Sequence, residues 1–486
     1  MGKLKKYIDK YVLMPIEVKA SLWYTMMSII QRGMAFITIP IFARLMTTSQ
    51  YGDYSVYTAW LAFVMIFTTL NLQYGSFNTA MAKFENDRDG YISSIQGLIL
   101  VLTAVGLCFF LPIPNIWSKV MELPAIIIFI MFFEIMGQAF LAFWSSKERY
   151  AFRYRNMVII TLALTLVSSI VGLIMVVYSQ DKGYARIASN ALVYVAFGGF
   201  FFFFNWIKGK KLFSKTYWLY ALKFNIPLIA YYLSQMIFNI SDRLMISRMS
   251  GKSSAAIYGI AYQFGIVLTF VINAINNSNV PWSYRKIKEN NILPLRKVAN
   301  MLTIFIASLL LLLIFFGPEA IAFLGGAAYV EAIWIVPPIA ASMLFLYLSQ
   351  LSVNIIFYFE QKSYLVRSSA IAAIINVVFN YIGISMFGYL AAGYVTLLSY
   401  IIFTIMNFYY MEKVCRDKIE TYQANSLYDI QSLAQITLVF LMACAFCLFL
   451  YTNTLLRYTV LTLGFIIVVI FRKKIFEVVN FIKKMK

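Results

Sequence analysis

The chain has 486 residues, of which 62% are hydrophobic and 13% are charged, with 41 Lys and Arg, 20 Asp and Glu and no His. A soluble protein of this length could not keep so much apolar surface away from water, so the composition excludes a soluble fold. The net charge of +21 lies mostly in short loops and not on a soluble basic domain. This distribution excludes a nucleic-acid-binding protein and indicates contact with anionic membrane lipids.

About fourteen apolar stretches follow one another along the chain. About 20 apolar residues in a helix cross the hydrocarbon core of a bilayer, and long unalternating runs are helices rather than barrel strands. The sequence therefore predicts an all-α integral membrane protein with about 14 transmembrane helices. In chain order the predicted spans are 19–44, 54–80, 91–112, 123–144, 156–178, 184–207, 217–242, 254–281, 298–323, 331–357, 365–387, 389–411, 430–451 and 455–471.

Basic residues alternate between the two sides of the membrane. With the N-terminus in the cytoplasm, 32 of the 41 Lys and Arg lie on the cytoplasmic side, eight lie on the outer side and Arg32 lies within the membrane. This excess is the positive-inside signal, and it favours an even number of spans with both basic termini in the cytoplasm. The first span is too long for a signal peptide and carries Gln31 and Arg32 in its middle, so we expect it to be retained.

A short internal echo predicts two related halves. Arg44-Leu45-Met46 and Tyr51-Gly52 follow the first span, while Arg243-Leu244-Met245 and Tyr258-Gly259 follow the seventh. Six spans separate the two copies, so the halves have the same orientation, as in parallel repeats. The echo predicts two six-helix lobes around a central cavity, with two additional C-terminal helices. The predicted parts are the lobe 1–207, the cytoplasmic linker 208–216, the lobe 217–411, and a segment 412–486 with a cytoplasmic loop and the last two helices.

Two ionisable residues lie near the middle of predicted spans. Arg32 is central in the first span, and Glu134 is central in the fourth, with Gln138 one helical turn further on. Each charge would cost about 2.5–3.5 kcal/mol if it faced lipid, so both should face protein or a wet cavity. Two interpretations remain open. Arg32 and Glu134 form a structural ion pair, or Arg32 holds an anionic group of a substrate while Glu134 tunes or gates it.

Charged residues also lie at the outer ends of the two repeat-related spans. Arg44, Arg243 and Arg248 either extend to the outer headgroups or line the outer mouth of a cavity between the lobes. Asp242 is either an ion ligand or the partner of a local salt bridge. We treat Arg44 as a further cavity candidate, and Asp242, Arg243 and Arg248 as candidates for an outer gate.

The eighth span is hydrophilic at one end, where Asn273, Asn276 and Asn277 predict contact with water or sugar rather than lipid. Prolines interrupt several spans, and such breaks suit a protein that alternates between two shapes. They are Pro40, Pro227, Pro281 and Pro337-Pro338.

The sequence offers no site for covalent chemistry. Gly251-Lys252-Ser253 resembles the end of a phosphate-binding loop, but Ile246 stands where the first glycine is needed, so ATP hydrolysis is excluded. The four Cys have neither metal-site spacing nor a disulfide pattern. We expect no enzyme, no metal and no cofactor.

Two stretches of the sequence resemble a known family. The stretch Ile39-Pro40-Ile41-Phe42-Ala43-Arg44-Leu45-Met46 with Tyr51-Gly52, and Asp242-Arg243-Leu244-Met245-Ile246 with Tyr258-Gly259, resemble the first-helix signature of Wzx-type polysaccharide flippases. These flippases belong to the superfamily of multidrug, oligosaccharidyl-lipid and polysaccharide exporters. The resemblance implies a V-shaped central cavity and cationic cavity residues that engage a diphosphate, for which Arg32 and Arg44 match best by helix and depth.

The resemblance implies a flippase of the bacterial inner membrane that serves lipopolysaccharide O-antigen or capsule biosynthesis. Its substrate would be an undecaprenyl-diphosphate-linked oligosaccharide, moved from the cytoplasmic to the periplasmic leaflet by alternating access, with H⁺ or Na⁺ as coupling ion. The polysaccharide polymerase machinery would be a further partner. Two alternatives stay open: a multidrug or cation antiporter of the same superfamily, and a membrane enzyme of the O-antigen polymerase or ligase type.

Overall fold

The computed structural model describes residues 16–73, 76–289, 291, 293–359, 361–418 and 426–470, and all regular structure in these ranges is helical. The first nine α-helices are α1 Ile16–Leu45, α2 Thr48–Thr69, α3 Phe77–Lys83, α4 Arg88–Phe110, α5 Pro114–Met121, α6 Ala125–Tyr150, α7 Tyr154–Tyr178, α8 Lys182–Gly209 and α9 Lys215–Asn225. The others are α10 Ile229–Ser250, α11 Lys252–Lys288, α12 Leu293–Phe315, α13 Gly317–Leu324, α14 Val336–Tyr358, α15 Lys362–Phe387, α16 Ala391–Lys418, α17 Ile430–Leu450 and α18 Thr454–Ile470. Three 3₁₀ segments are Glu85–Asp87, Ile226–Leu228 and Ala327–Trp334.

The prediction of an all-helical protein with about fourteen spans is confirmed. Each predicted span overlaps one helix of at least 17 residues within the described part of the chain. Ten of these helices are long and apolar enough to cross a membrane by length and hydropathy alone. The others are α2, α10 and α11, which carry more polar residues, and the short α18.

Three predicted spans are interrupted. The span 54–80 ends early because α2 stops at Thr69, and Leu70 and Asn71 take left-handed backbone conformations with φ of 48° and 49°. The span 217–242 is divided by the 3₁₀ segment Ile226–Leu228, where Pro227 cannot donate a helical hydrogen bond. The span 298–323 stops at Phe315, before the short helix α13.

The predicted prolines occupy different positions within their helices. Pro40 lies inside α1, as predicted. Pro337-Pro338 lie in the first turn of α14, where proline costs no hydrogen bond, so they begin a helix and do not break one. Pro281 lies within α11, and its side chain is outside the described residues.

The chain divides into two compact units, Met1–Ala256 and Ile257–Lys486, with the division inside α11. The predicted lobes 1–207 and 217–411 stay predictions. In the first unit the core between α2, α5, α6 and α8 contains Tyr57, Ile128, Met131, Ile135 and Ile187, all almost fully buried. In the second unit α14 is the most enclosed helix and packs against α12 and α16.

The last two helices are fixed to the second unit by polar contacts. Arg457 of α18 is 3% exposed and forms a salt bridge with Glu319 of α13. The hydroxyl of Tyr451, just after α17, donates to the carbonyl of Ile314 at 2.5 Å. Because a buried arginine needs such a partner, α17 and α18 are packed parts of this unit.

Helices α6 and α8 cross at two glycines. A Cβ atom on Gly198 would overlap the backbone of Gly137, and a Cβ on Gly137 would overlap the carbonyl of Tyr194. Small residues at a helix crossing allow backbones to approach closely, which is the main source of helix association in membranes. Gly199, the next residue, has no atom within 4 Å of the position of its Cβ.

We expect Gly198→Ala to lower the thermal unfolding temperature of the detergent-purified protein, because the added methyl forces α6 and α8 apart at about 1–3 kcal/mol. Gly199→Ala is the matched control and should be neutral or slightly stabilising, since alanine is the better helix former. Equal unfolding temperatures for the two variants would contradict this account of the crossing.

Candidate functional site

The carboxylate of Glu134 is the centre of a buried polar cluster in the first unit. Its side chain, on α6, is fully buried. It accepts hydrogen bonds from the Tyr57 hydroxyl at 2.6 Å, from Asn190 Nδ2 at 2.8 Å and from Gln138 Nε2 at 2.9 Å. Three donors from α2, α6 and α8 therefore replace the water that the carboxylate would otherwise bind. We call these four residues the Glu134 cluster.

Arg186 adjoins the Glu134 cluster through α7. Ser168 Oγ donates to Asn190 Oδ1 at 2.9 Å, and the Ser168 carbonyl accepts from Arg186 Nη1 at 3.2 Å. The guanidinium carbon lies 4.2 Å from the ring centroid of Phe42 and 5.4 Å from that of Tyr54. Within the described ranges no carboxylate lies at salt-bridge distance from Arg186. Its charge faces two aromatic rings and a carbonyl, and the Glu134 carboxylate interacts with it electrostatically beyond salt-bridge distance.

The sequence predicts Glu134 and Gln138 as partners in one site, and the structure brings them together directly. Arg32 lies in α1, but its side chain is outside the described residues, so its pairing with Glu134 stays a prediction. Arg186, Tyr57 and Asn190 were missed by sequence reasoning. The available signal was the spacing of Arg186 and Asn190, four residues apart and therefore on one face of a helix.

A second polar cluster lies at the predicted outer end of the first unit. Lys252 Nζ donates to Asp53 Oδ1 at 2.5 Å and to the Glu122 carbonyl at 2.9 Å. The Glu122 carboxylate accepts from Ser247 Oγ at 2.7 Å. These four residues, the outer cluster, join the start of α2, the turn before α6, the end of α10 and the start of α11.

Backbone contact brings the same segments together. A Cβ on Gly52 would overlap the carbonyl of Lys252, and Thr48 Oγ1 lies 3.1 Å from Ser253 Oγ. The segment Tyr51-Gly52-Asp53 belongs to the internal echo, and Gly251-Lys252-Ser253 is the rejected nucleotide motif. Asp53 and Lys252 carry opposite charges on the same predicted side of the membrane, and this was the signal in the sequence that could have predicted their contact.

The predicted outer-gate residues have different environments. Asp242 is 1% exposed and Arg243 is half-buried in α10, whereas Arg248 is exposed near its end. Arg44 is exposed in the last turn of α1. The roles of these residues stay predictions.

The predicted asparagine face of α11 contacts α14 within the second unit. Gln350 Nε2 donates to Asn273 Oδ1 at 3.3 Å, and Asn354 Nδ2 donates to Asn276 Oδ1 at 2.6 Å. The side chain of Asn277 is outside the described residues. The polar face therefore joins two helices, and its contact with a substrate stays a prediction. Across the described residues no three His, Cys, Asp or Glu converge as metal ligands would.

Removal of the Tyr57 hydroxyl tests the Glu134 cluster. We expect Tyr57→Phe to destabilise the purified protein by about 1.5–3 kcal/mol, the usual range for a hydrogen bond to a charged group. Tyr54→Phe keeps the ring beside Arg186 and serves as the control with little expected change. Thermal unfolding of the two variants in the same detergent is the measurement, and a smaller loss for Tyr57→Phe than for Tyr54→Phe would refute the assignment.

Comparison with known proteins identifies the family. The family described as polysaccharide biosynthesis protein matches residues 18–286, more than half of the chain. Protein 1 of the Lsg locus of Haemophilus influenzae is 23% identical over 380 residues, which cover 74% of this chain and 89% of that protein.

Solved structures show the same fold. The lipid II flippase MurJ in an inward closed conformation has a TM-score of 0.66 and 15% identity, with 93% of this chain and 100% of that chain covered. An inward-facing multidrug resistance transporter of the MATE family and MOP superfamily has a TM-score of 0.55 and 13% identity, covering 80% of this chain and 96% of that one. The predicted superfamily resemblance and transporter fold are confirmed, and the chain is a multi-pass membrane protein that belongs to the polysaccharide biosynthesis protein family.

Proposed function

We propose that the protein flips an undecaprenyl-diphosphate-linked oligosaccharide repeat unit from the cytoplasmic to the periplasmic leaflet of the bacterial inner membrane. The observation that carries this proposal is the match to a polysaccharide biosynthesis family over residues 18–286, in a chain with a transporter fold. A sugar head cannot cross hydrocarbon unaided, whereas a prenyl tail can stay in lipid throughout. Both basic termini face the cytoplasm in this proposal.

Arg186 is the best-supported contact for the diphosphate in the described part of the chain. Its guanidinium is charged at every physiological pH and matches the geometry of phosphate oxygens. The neighbouring Glu134 already accepts three hydrogen bonds from neutral donors, so it competes less for the guanidinium than a bare carboxylate would. Arg32 and Arg44 remain further candidates for the same role.

The outer cluster supports alternating access. All four residues lie in the first compact unit, but they come from both predicted lobes, Asp53 and Glu122 from 1–207 and Ser247 and Lys252 from 217–411. Their contacts would close the outer side while the substrate enters from the cytoplasm, and they would separate when the substrate leaves. The energy would come from a gradient of H⁺ or Na⁺ or from removal of the product by the polymerase machinery.

A deletion strain tests the proposed function directly. We expect lipid-linked repeat units to accumulate on the cytoplasmic leaflet, where periodate labels their sugars in inverted but not in right-side-out vesicles. Accumulation on the outer leaflet would instead indicate loss of a polymerase. Normal glycolipid together with greater sensitivity to cationic drugs would favour the multidrug antiporter, whose fold the chain also shares.

Substitution of Arg186 tests the contact with the diphosphate. In the complemented deletion strain we expect Arg186→Gln to reduce the export rate by at least tenfold, since a hydrogen bond to a charged group contributes more than about 1.4 kcal/mol. Arg186→Lys should retain part of the rate because it keeps the charge. Arg416→Gln, at an exposed position in α16, is the control for equal loss of charge. Wild-type export by Arg186→Gln at equal protein level would exclude Arg186 from the transport path.

Cross-linking tests the opening of the outer cluster. In a Cys108→Ser background, Asp53→Cys with Lys252→Cys would be treated with a short bifunctional methanethiosulfonate reagent. We expect export to stop and to return when a reductant cleaves the cross-link, because the two positions must separate in each cycle. Each single cysteine variant is the control for modification alone. Full export by the cross-linked protein would show that the outer cluster is a permanent structural contact.

A further inference from the structure

Two adjoining pockets lie beside the turn that connects α6 and α7 in the first unit. The first has a volume of about 440 Å³ and lies between the start of α1 and residues Ala151 to Asn156. The second has a volume of about 270 Å³ and lies between α6, α7 and α8. Arg153 and Asn156 line both pockets, so the two adjoin at these residues. By the positive-inside rule this turn faces the cytoplasm.

The two pockets combine a cationic rim with an apolar floor. Arg153 has a 61% exposed side chain, and Arg155 is exposed beside it. Lys208 stands at the rim of the second pocket, with Nζ 4.1 Å from the ring centroid of Phe204. The floor of this pocket is built from Ile159, Ile160 and a row of phenylalanines of α8. Such a gradient from cation to hydrocarbon is the pattern of a lipid headgroup above its acyl chain.

One carboxylate also lines the second pocket, and it positions the arginine. Glu148 is 5% exposed, and its Oε1 lies 3.7 Å from Arg153 Nη1. The Arg153 amide donates to the Glu148 carbonyl at 2.8 Å. A pair at 3.7 Å is a loose one, so most of the guanidinium surface stays available to an anion.

The turn itself is strained in a way that exposes an aromatic side chain. Phe152 has a φ of 53°, a conformation that bulky residues rarely adopt, and its side chain is 40% exposed. Phe152 also lines the first pocket, where its ring adds an apolar surface. The positive φ of Phe152 therefore leaves an apolar ring exposed directly before Arg153.

We propose that these pockets bind an anionic glycerophospholipid of the cytoplasmic leaflet. The phosphate contacts Arg153 and Arg155, and an acyl chain occupies the crevice between α7 and α8 beneath Lys208. This lipid site is separate from the proposed flipping of sugar-linked lipids. Its cations neutralise the charge of the phosphate, and its apolar crevice favours anions that carry a hydrocarbon chain.

Native mass spectrometry of the full-length protein in detergent tests the site, with phosphatidylglycerol as probe and phosphatidylcholine as neutral reference. We expect wild type to retain phosphatidylglycerol preferentially, and Arg153→Gln with Arg155→Gln to weaken that binding by about thirtyfold, which corresponds to two contributions of about 1 kcal/mol each. Arg285→Gln with Arg416→Gln removes two exposed arginines at the same predicted side and should change the binding little. Equal binding of both lipids, or equal losses in both double variants, would overturn the proposal.

Three further measurements identify the ligand. Ile159→Trp should fill the crevice and weaken phosphatidylglycerol binding while both arginines are intact, and unchanged binding would contradict the acyl-chain position. Glycerol 3-phosphate should compete poorly because it lacks a chain, and full competition would indicate a site for free phosphate. Farnesyl diphosphate bound at least tenfold more tightly than phosphatidylglycerol, and lost with the same arginines, would assign the pockets to a prenyl substrate and overturn the phospholipid proposal. Because these measurements need no transport, their failure is distinct from failure of the flippase function.

Discussion

The cost of a polar group without a partner in hydrocarbon determines where this protein can place its charges. Water is not available in the core of a bilayer, so each buried donor or acceptor needs a partner within the protein. Glu134 meets this requirement with three donors from three helices, which fixes α2 and α8 around α6. The carboxylate therefore organises the first unit whether or not it contacts substrate.

The glycine crossing makes this arrangement attainable. Gly137 lies one helical turn from Glu134, and Gly198 lies two turns from Asn190, so the close approach of α6 and α8 also sets the distance between carboxylate and amide. Dispersion and small residues drive helix association in membranes, where apolar burial gives no net gain. The same two helices therefore provide both the close packing at the glycines and the hydrogen bond from Asn190 to Glu134. A substitution that separates the helices at the crossing would also disturb the Glu134 cluster.

Hydropathy and charge patterns predicted the helices well because both report directly on the bilayer. They did not reveal that α2 ends at Thr69, since neither Leu70 nor Asn71, which take the left-handed conformation, is a glycine or proline that would mark a break. They placed Glu134 at mid-depth and paired it with Gln138 by helical spacing, but Tyr57 and Asn190 come from other helices. Hydropathy and charge patterns describe each helix by itself and do not show which helices pack against one another. For the same reason Tyr51-Gly52 and Gly251-Lys252-Ser253 were considered separately in the sequence, and the ion pair between Asp53 and Lys252 was not predicted.

The two predicted sides of the membrane differ in the number of basic residues that an anionic headgroup meets. At the predicted outer end Lys252 forms an ion pair with Asp53, and Lys182 donates to the carbonyl of Leu45 at 2.9 Å. At the predicted inner end Arg153 has only the distant Glu148, and Arg155 is exposed. Other cations at the inner end are also paired, Arg88 with Glu85, Lys147 with Asp89 and Lys211 with Asp87, so the asymmetry lies in the number of basic residues, 32 on the predicted cytoplasmic side against eight on the outer side. In a flippase this asymmetry would favour capture from the cytoplasmic leaflet and weaken recapture after release, so loop charges that set the topology would also bias the direction of transport.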